Sequence, residues 1–290
     1  MKLPFVFSAH FLAMPPHFWF VVSATSRYLG PAFAVLLFGQ IDVLGVAWFR
    51  IASAALIFAL WTKPWRTFRG ANKQAMMMFL LLGGCLALMN SAFYLAIERL
   101  SLSVVATTEF VGTIAIALWG LKAMRNYIAL GLAVTGVMTL IDVRWSNDLL
   151  GLSFAAANAL LFVAYIVLGH RLSRQGASEG VAQLGAAMAV AFVFIVPIGF
   201  QDAISAFASP VLILAGIGVG VCSSVVPYVC DQLAMAKLTR STYALSLALL
   251  PAIATIIGVV VLRQVPTLMD ICGIVLVMLG VALHRSTERL

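Results

Sequence analysis

Apolar runs of about twenty residues alternate with short polar breaks along the whole chain. A helix that crosses lipid needs about 20 predominantly apolar residues. Breaks at Gly, Pro and charge clusters divide the sequence into ten such segments, about 17–38, 43–61, 75–97, 103–121, 126–142, 149–170, 180–200, 211–235, 241–262 and 268–284. The joining loops are short and leave no place for an extramembrane domain. The pattern predicts an all-α integral membrane protein of ten transmembrane helices.

Composition strengthens this picture. The 290 residues are 63% hydrophobic and 10% charged, with mean hydropathy +1.08. A soluble domain carries about 25% charged residues, so lipid must cover this surface. The net charge of +8 does not point to nucleic acid. The basic residues fall between apolar runs instead of clustering with aromatics, which is a topology signal. With a cytoplasmic N-terminus, thirteen basic residues lie on one side: Lys2, Lys63, Arg66, Arg69, Lys73, Lys122, Arg125, Arg171, Arg174, Lys237, Arg240, Arg285 and Arg289. The other side holds three, Arg99, Arg144 and Arg263. The positive-inside rule then places both termini in the cytoplasm. Residues 1–14 read as a cytoplasmic or interfacial lead-in, because Pro15-Pro16 interrupts them and another apolar run follows at once. Trp65, Trp119 and Trp145 fall near segment ends, as interfacial anchors do, and Trp48 does not.

The chain divides near Ser146, giving five-helix units at 1–145 and 146–290. The polar elbow at residues 96–106 echoes that at 234–244, and each half ends on a Gly-bearing segment. Five spans per half make the second half enter the membrane from the opposite side, so the expected architecture is two inverted five-helix repeats. Such repeats are a recurring basis of alternating access, with substrate bound between the halves.

Four charges fall inside predicted spans: Arg27, Arg50, Glu109 and Asp231. A charge at the bilayer centre costs about 2.5–3.5 kcal/mol on insertion scales, so these positions are the first candidates for function. Polar residues accompany them. Asn90 and Tyr94 share a helix face at i, i+4, and Asn158 and Tyr165 share one at i, i+7. Ser224, Tyr228 and Asp231 follow at i, i+4, i+7 around Pro227, which lacks a backbone donor and frees a carbonyl nearby. Each also fits a bundle-packing role: Asn, Ser and Tyr can simply join helices, and Asp231 stands close enough to Lys237 to pair with it. Glu109 can pair with an arginine or exchange protons.

These motifs resemble the drug/metabolite transporter superfamily, EamA-type, and within it the bacterial threonine and homoserine exporters. The resemblance rests on Lys63-Pro64-Trp65-Arg66, Met89-Asn90-Ser91-Ala92-Phe93-Tyr94-Leu95, Glu109-Phe110-Val111-Gly112 and Val226-Pro227-Tyr228, with Arg50 at the arginine usual in the second helix. It implies ten helices, a bacterial inner-membrane location and export of small metabolites. The pattern departs at Gly112-Thr113, where Gly-Pro is usual, at Leu250-Pro251 for Glu-Pro, and at Arg263-Gln264, where an acid is usual.

The expected function is therefore secondary export of small metabolites, foremost amino acids such as threonine and homoserine, by alternating access with possible proton coupling. Arg50, Asn90, Tyr94, Glu109, Asn158, Tyr165 and Tyr228 are the expected substrate ligands, with Glu109 as the coupling residue. Arg27, Asp231 and Ser224 are further candidates. Export of aromatic compounds or drugs, or passive facilitation, stays open, as does a monomer or homodimer. An enzyme is not expected, because His10, His17, His170 and His284 sit in the lead-in or at segment ends. No cofactor or metal is expected. The cysteines Cys85, Cys222, Cys230 and Cys272 read as packing residues. The partners are lipid and a small-molecule substrate.

Overall fold

The computed structural model describes residues 14–102, 104–106, 108–110, 124–140, 148–174, 176–239, 242–243, 246–263, 265 and 267–283. Among these there is no strand. The helices are α1 (Pro16–Val35), α2 (Val43–Thr62), α3 (Pro64–Gly70), α4 (Lys73–Ile97), α5 (Met124–Leu140), α6 (Leu149–Ser173), α7 (Ala177–Ala203), α8 (Pro210–Gly220), α9 (Val226–Met235), α10 (Leu250–Leu262) and α11 (Leu268–Leu283). Five helical stretches are long and apolar enough to cross a membrane: Val43–Thr62, Lys73–Ile97, Leu149–Ser173, Ser178–Ala208 and Pro210–Met235. The protein is an all-helical, multi-pass membrane protein. Much of the fourth expected segment lies outside the described residues, as do the lead-in, the Ser146 boundary, Gly112-Thr113, Trp119, Trp145 and Gln264. Its described residues 104–106 and 108–110 are helical.

Local chemistry explains the breaks. Lys63 takes a left-handed conformation (φ 52°) and stops α2, and Pro64 then opens the short α3. The turn of chain at Lys63-Pro64-Trp65-Arg66 is thus a helix of its own, too short to show in a search for apolar spans. The Asn72 side chain caps α4 by accepting from the Ala75 amide at 2.8 Å. Asp148 caps α6 by accepting from the Gly151 amide at 2.9 Å, and Arg99 donates to it at 3.2 Å. The Gly151 amide, and after it Arg99, hold the Asp148 carboxyl below its usual range.

The structure corrects the expected spans in three places. The first ends at Val35, with turns over 36–40, instead of running to 38. The ninth, helical at its described residues 242–243 and 246, passes through a 3-10 turn, Leu247–Leu249, before α10. The eighth is interrupted: between α8 and α9 the chain makes a π turn over Val221–Val225. Pro227 has no N–H for the Ser223 carbonyl four residues back, and single π turns inside α-helices recur at functional sites.

Helix packing brings the broken helix to the centre. α1 lies along α9 and the π turn and also meets α10, while α2 packs on α7 and α8. α4 packs against α6 and α7, and α5 packs on α11. Met14 and Lys237 meet at one end of the molecule, where the Lys237 ammonium donates to the Met14 carbonyl at 3.1 Å.

Candidate functional site

All four predicted deep charges are buried: Arg27 is 5% exposed, Arg50 3%, Glu109 3% and Asp231 1%. Arg27 therefore does not reach the surface, and Asp231 does not pair with Lys237. Instead Arg27 on α1 forms an ion pair and hydrogen bond with Asp231 on α9. Ser23, one turn before Arg27, also donates to the Asp231 carboxylate and to the Pro227 carbonyl at 3.2 Å. The Tyr165 hydroxyl completes the set, donating to Asp231 at 2.7 Å. The Arg27 guanidinium stands 5.0 Å from the Phe162 ring centre and 5.8 Å from those of Tyr165 and Tyr228. Those distances are in the range where a ring face attracts a cation.

Glu109 has a different environment. Tyr28 Oη and Asn158 Nδ2 each donate to it at 2.8 Å, one to each carboxylate oxygen. Both donors are neutral, and among the described residues no arginine forms an ion pair with Glu109. Arg50 and Glu109, opposite in sign, thus do not neutralise each other by contact. Arg50 Nε donates to Ser224 Oγ at 2.8 Å, and its Nη2 donates to the Ser223 carbonyl at 2.6 Å. The guanidinium supplies the donor that Pro227 withholds from that carbonyl. The rings of Phe93 and Tyr94 lie 5.7 and 5.6 Å from it.

Arg27, Arg50, Asn90, Glu109 and Asn158 line one small central cavity together with Met89 and Phe93. Tyr94, Tyr165, Tyr228, Ser224 and Asp231 stand behind these groups. Tyr228 positions Asn90, whose Nδ2 donates to the Tyr228 hydroxyl at 3.0 Å and to the Leu86 carbonyl at 2.6 Å. Asn158 Oδ1 is buried and has no hydrogen-bond partner among the described residues. The cavity measures about 10 Å³, whereas one water needs about 10–15 Å³ on the same measure. The bundle is therefore contracted around its charges in this conformation. A larger cavity of about 380 Å³ lies between α3–α4 and α6–α7, but it shares no residue with the deep charge cluster.

Residues 149–285 match the model of the EamA-like transporter family. The threonine/homoserine exporter RhtA of Escherichia coli (strain K12) is 30% identical over 250 residues, covering 85% of this chain and 83% of its own. The chain belongs to the EamA-like transporter family. The exporter of the same name from Salmonella typhimurium (strain SL1344) is 29% identical over 276 residues, covering 92% of this chain and 91% of its own. A solved protein crystal structure superposes with a TM-score of 0.62 at 16% identity. It covers 93% of this chain and 97% of that one, a likeness that concerns fold alone. The relatives named here are exporters, not enzymes.

Two partners of the deep acids were absent from the residues singled out by sequence. Ser23 and Tyr28 flank Arg27 on α1, and each donates to one of the two deep acids. The i, i+4 spacing of Ser23 and Arg27 was available as a signal, because it puts both on one helix face. Asn158 and Tyr165, expected to act together on one face, serve different acids two turns apart.

Proposed function

We propose that this EamA-family transporter exports small amino acids, foremost threonine and homoserine, by alternating access. The observation that carries this reading is the central cavity itself. Two guanidinium groups, a carboxylate and two amide side chains reach it. A zwitterion presents one carboxylate and one ammonium. The first would meet Arg27 or Arg50. The second would meet Glu109 and the open acceptor Asn158 Oδ1. Glu109 is also the coupling residue in this reading, because its partners in the closed state are neutral and leave its charge free to change. The 29–30% identity with threonine/homoserine exporters over most of the chain supports the cargo class.

The same reading has ten spans in two inverted repeats, 1–145 and 146–290, with both termini cytoplasmic. Helix packing supports it. Exchanging the halves turns the contact of α4 with α6 into that of α8–α9 with α1, and the contact of α4 with α7 into that of α8 with α2. The α2–α7 and α5–α11 contacts map onto themselves. A close approach recurs as well. A Cβ on Gly83 would stand 2.7 Å from the Ala187 carbonyl of α7, and one on Gly220 would stand 3.0 Å from the Arg50 carbonyl of α2.

The test is ligand-induced thermal stabilisation of the purified protein across a metabolite panel. A ligand that binds only the folded state stabilises by about 2.7 kcal/mol at a hundred times its Kd. Threonine and homoserine are expected to raise the unfolding temperature in a saturable way. Stabilisation by aromatic compounds alone would move the cargo to that class and refute the amino-acid reading.

A further inference from the structure

The two deep arginines are held in different ways. Arg50 is tied into the backbone: its Nη2 serves a carbonyl that Pro227 cannot serve, and its Nε serves the adjacent serine. Removing it would leave that carbonyl without this donor in the break of the helix. Among the described residues Arg27 has one hydrogen-bond partner, Asp231. Its position does not depend on that partner alone, because the rings of Phe162, Tyr165 and Tyr228 surround its guanidinium at 5.0–5.8 Å. Asp231 is likewise held independently, by the hydroxyls of Ser23 and Tyr165. Each member of this ion pair therefore keeps attractive neighbours when the other leaves.

Placement adds a direction. Arg27 lines the central cavity and Asp231 does not. A ligand in the cavity thus reaches the guanidinium on a side that Asp231 does not occupy. One guanidinium neutralises one carboxylate. Two carboxylates on it would share one positive charge, which weakens its hold on each of them. An arriving carboxylate must therefore loosen Asp231.

We propose that Asp231 is a built-in stand-in for the substrate carboxylate on Arg27, and that the transported carboxylate takes Arg27 by displacing it. This rests on the amino-acid reading above and deepens it, by assigning the carboxylate subsite to Arg27 and a competitor role to Asp231. Displacement also loosens a contact that ties α1 to α9, so occupancy of the subsite is coupled to separation of the helices around the cavity. The displaced Asp231 keeps two hydroxyl donors. Arg50 holds the broken helix and does not exchange.

The exchange can be tested without knowing the cargo. Asp231→Ala leaves Arg27 caged by aromatic rings and without its carboxylate. Formate, a free carboxylate, should then restore thermal stability in a saturable way. Chloride at the same concentration should not, and neither wild type nor the double variant Arg27→Gln/Asp231→Ala should respond to formate. Asp231→Asn, which can still accept from Ser23 and Tyr165, serves the same assay. If either single variant is recovered only when formate is present during purification, that recovery is the same positive result. Failure of formate to recover or stabilise both single variants overturns the proposal, as does equal stabilisation of the double variant. A second arm addresses cargo. Asp231→Asn should bind threonine more tightly than wild type, by roughly five- to a hundredfold, the usual span of a site–site coupling. The amino alcohol of threonine, which lacks the carboxylate, should show no such gain. Formate rescue without threonine binding would keep the exchange and refute the cargo. Threonine binding without formate rescue would keep the cargo and refute the exchange.

Discussion

Glu109→Gln is expected to abolish proton-linked transport while leaving the protein expressed and folded. The substitution preserves the shape of the side chain. A glutamine keeps one carbonyl oxygen to accept from the Asn158 amide, and its own amide can donate to the Tyr28 hydroxyl, so both present hydrogen bonds retain a counterpart. No ion pair is broken among the described residues, because Glu109 has none there. What disappears is a carboxylate able to change charge at the centre of the bundle, 3% exposed and lining the cavity. An intramembrane acid in that position marks a proton or substrate pathway by default. The measurement is uptake into proteoliposomes with and without an imposed pH gradient. Stimulation by the gradient should fall to the level of protein-free vesicles. Gradient dependence identical to wild type would remove Glu109 from the coupling role.

The second large effect is on stability. Arg27→Met or Asp231→Leu alone should destabilise the folded protein by about 3–5 kcal/mol, because each leaves one buried charge without its partner. The double variant Arg27→Met/Asp231→Leu should recover most of that loss, since apolar groups of similar volume often replace a buried pair at little net cost. Tyr165 then keeps an unmatched hydroxyl, so recovery should stop short of complete. Ser23 retains the Pro227 carbonyl as acceptor at 3.2 Å. Thermal unfolding in one detergent across the four proteins gives the coupling directly. Additive losses in the double variant would contradict an energetic pair.

The sequence carried the helices better than it carried the wiring of the site. Segment positions followed from apolar run length, because in lipid a backbone must satisfy its own hydrogen bonds within helices. The observed bounds of α4 and α6 begin and end within a few residues of those expected. The short α3 was missed because a run of seven residues with Trp65, Arg66 and Arg69 has no apolar period of its own. Pro227 marked the break, but the guanidinium that meets the Ser223 carbonyl there comes from Arg50 on another helix, which the local sequence does not record.

The deep charges stood out one by one for the same reason, the cost of placing them in lipid. Their pairing did not. Asp231 lies near the end of its helix, and proximity in sequence offered Lys237 as one possible partner. In the folded chain Arg27, two hundred residues away in sequence, takes it, and Lys237 turns to the Met14 carbonyl. Helix end positions measure depth only for straight, upright helices, and the interrupted α8–α9 helix is neither continuous nor regular. Long-range choices of this kind are set by packing between helices, which hydropathy along a single chain does not record.

The most direct measurement is counterflow. Proteoliposomes loaded with unlabelled threonine or homoserine should accumulate labelled threonine from outside with saturable, transient overshoot, and Arg27→Gln should lose it. Such exchange requires a site that faces each side in turn. Absence of counterflow across a broad amino-acid panel, or flux that rises linearly with concentration and carries single-channel currents, would contradict an amino-acid exporter working by alternating access.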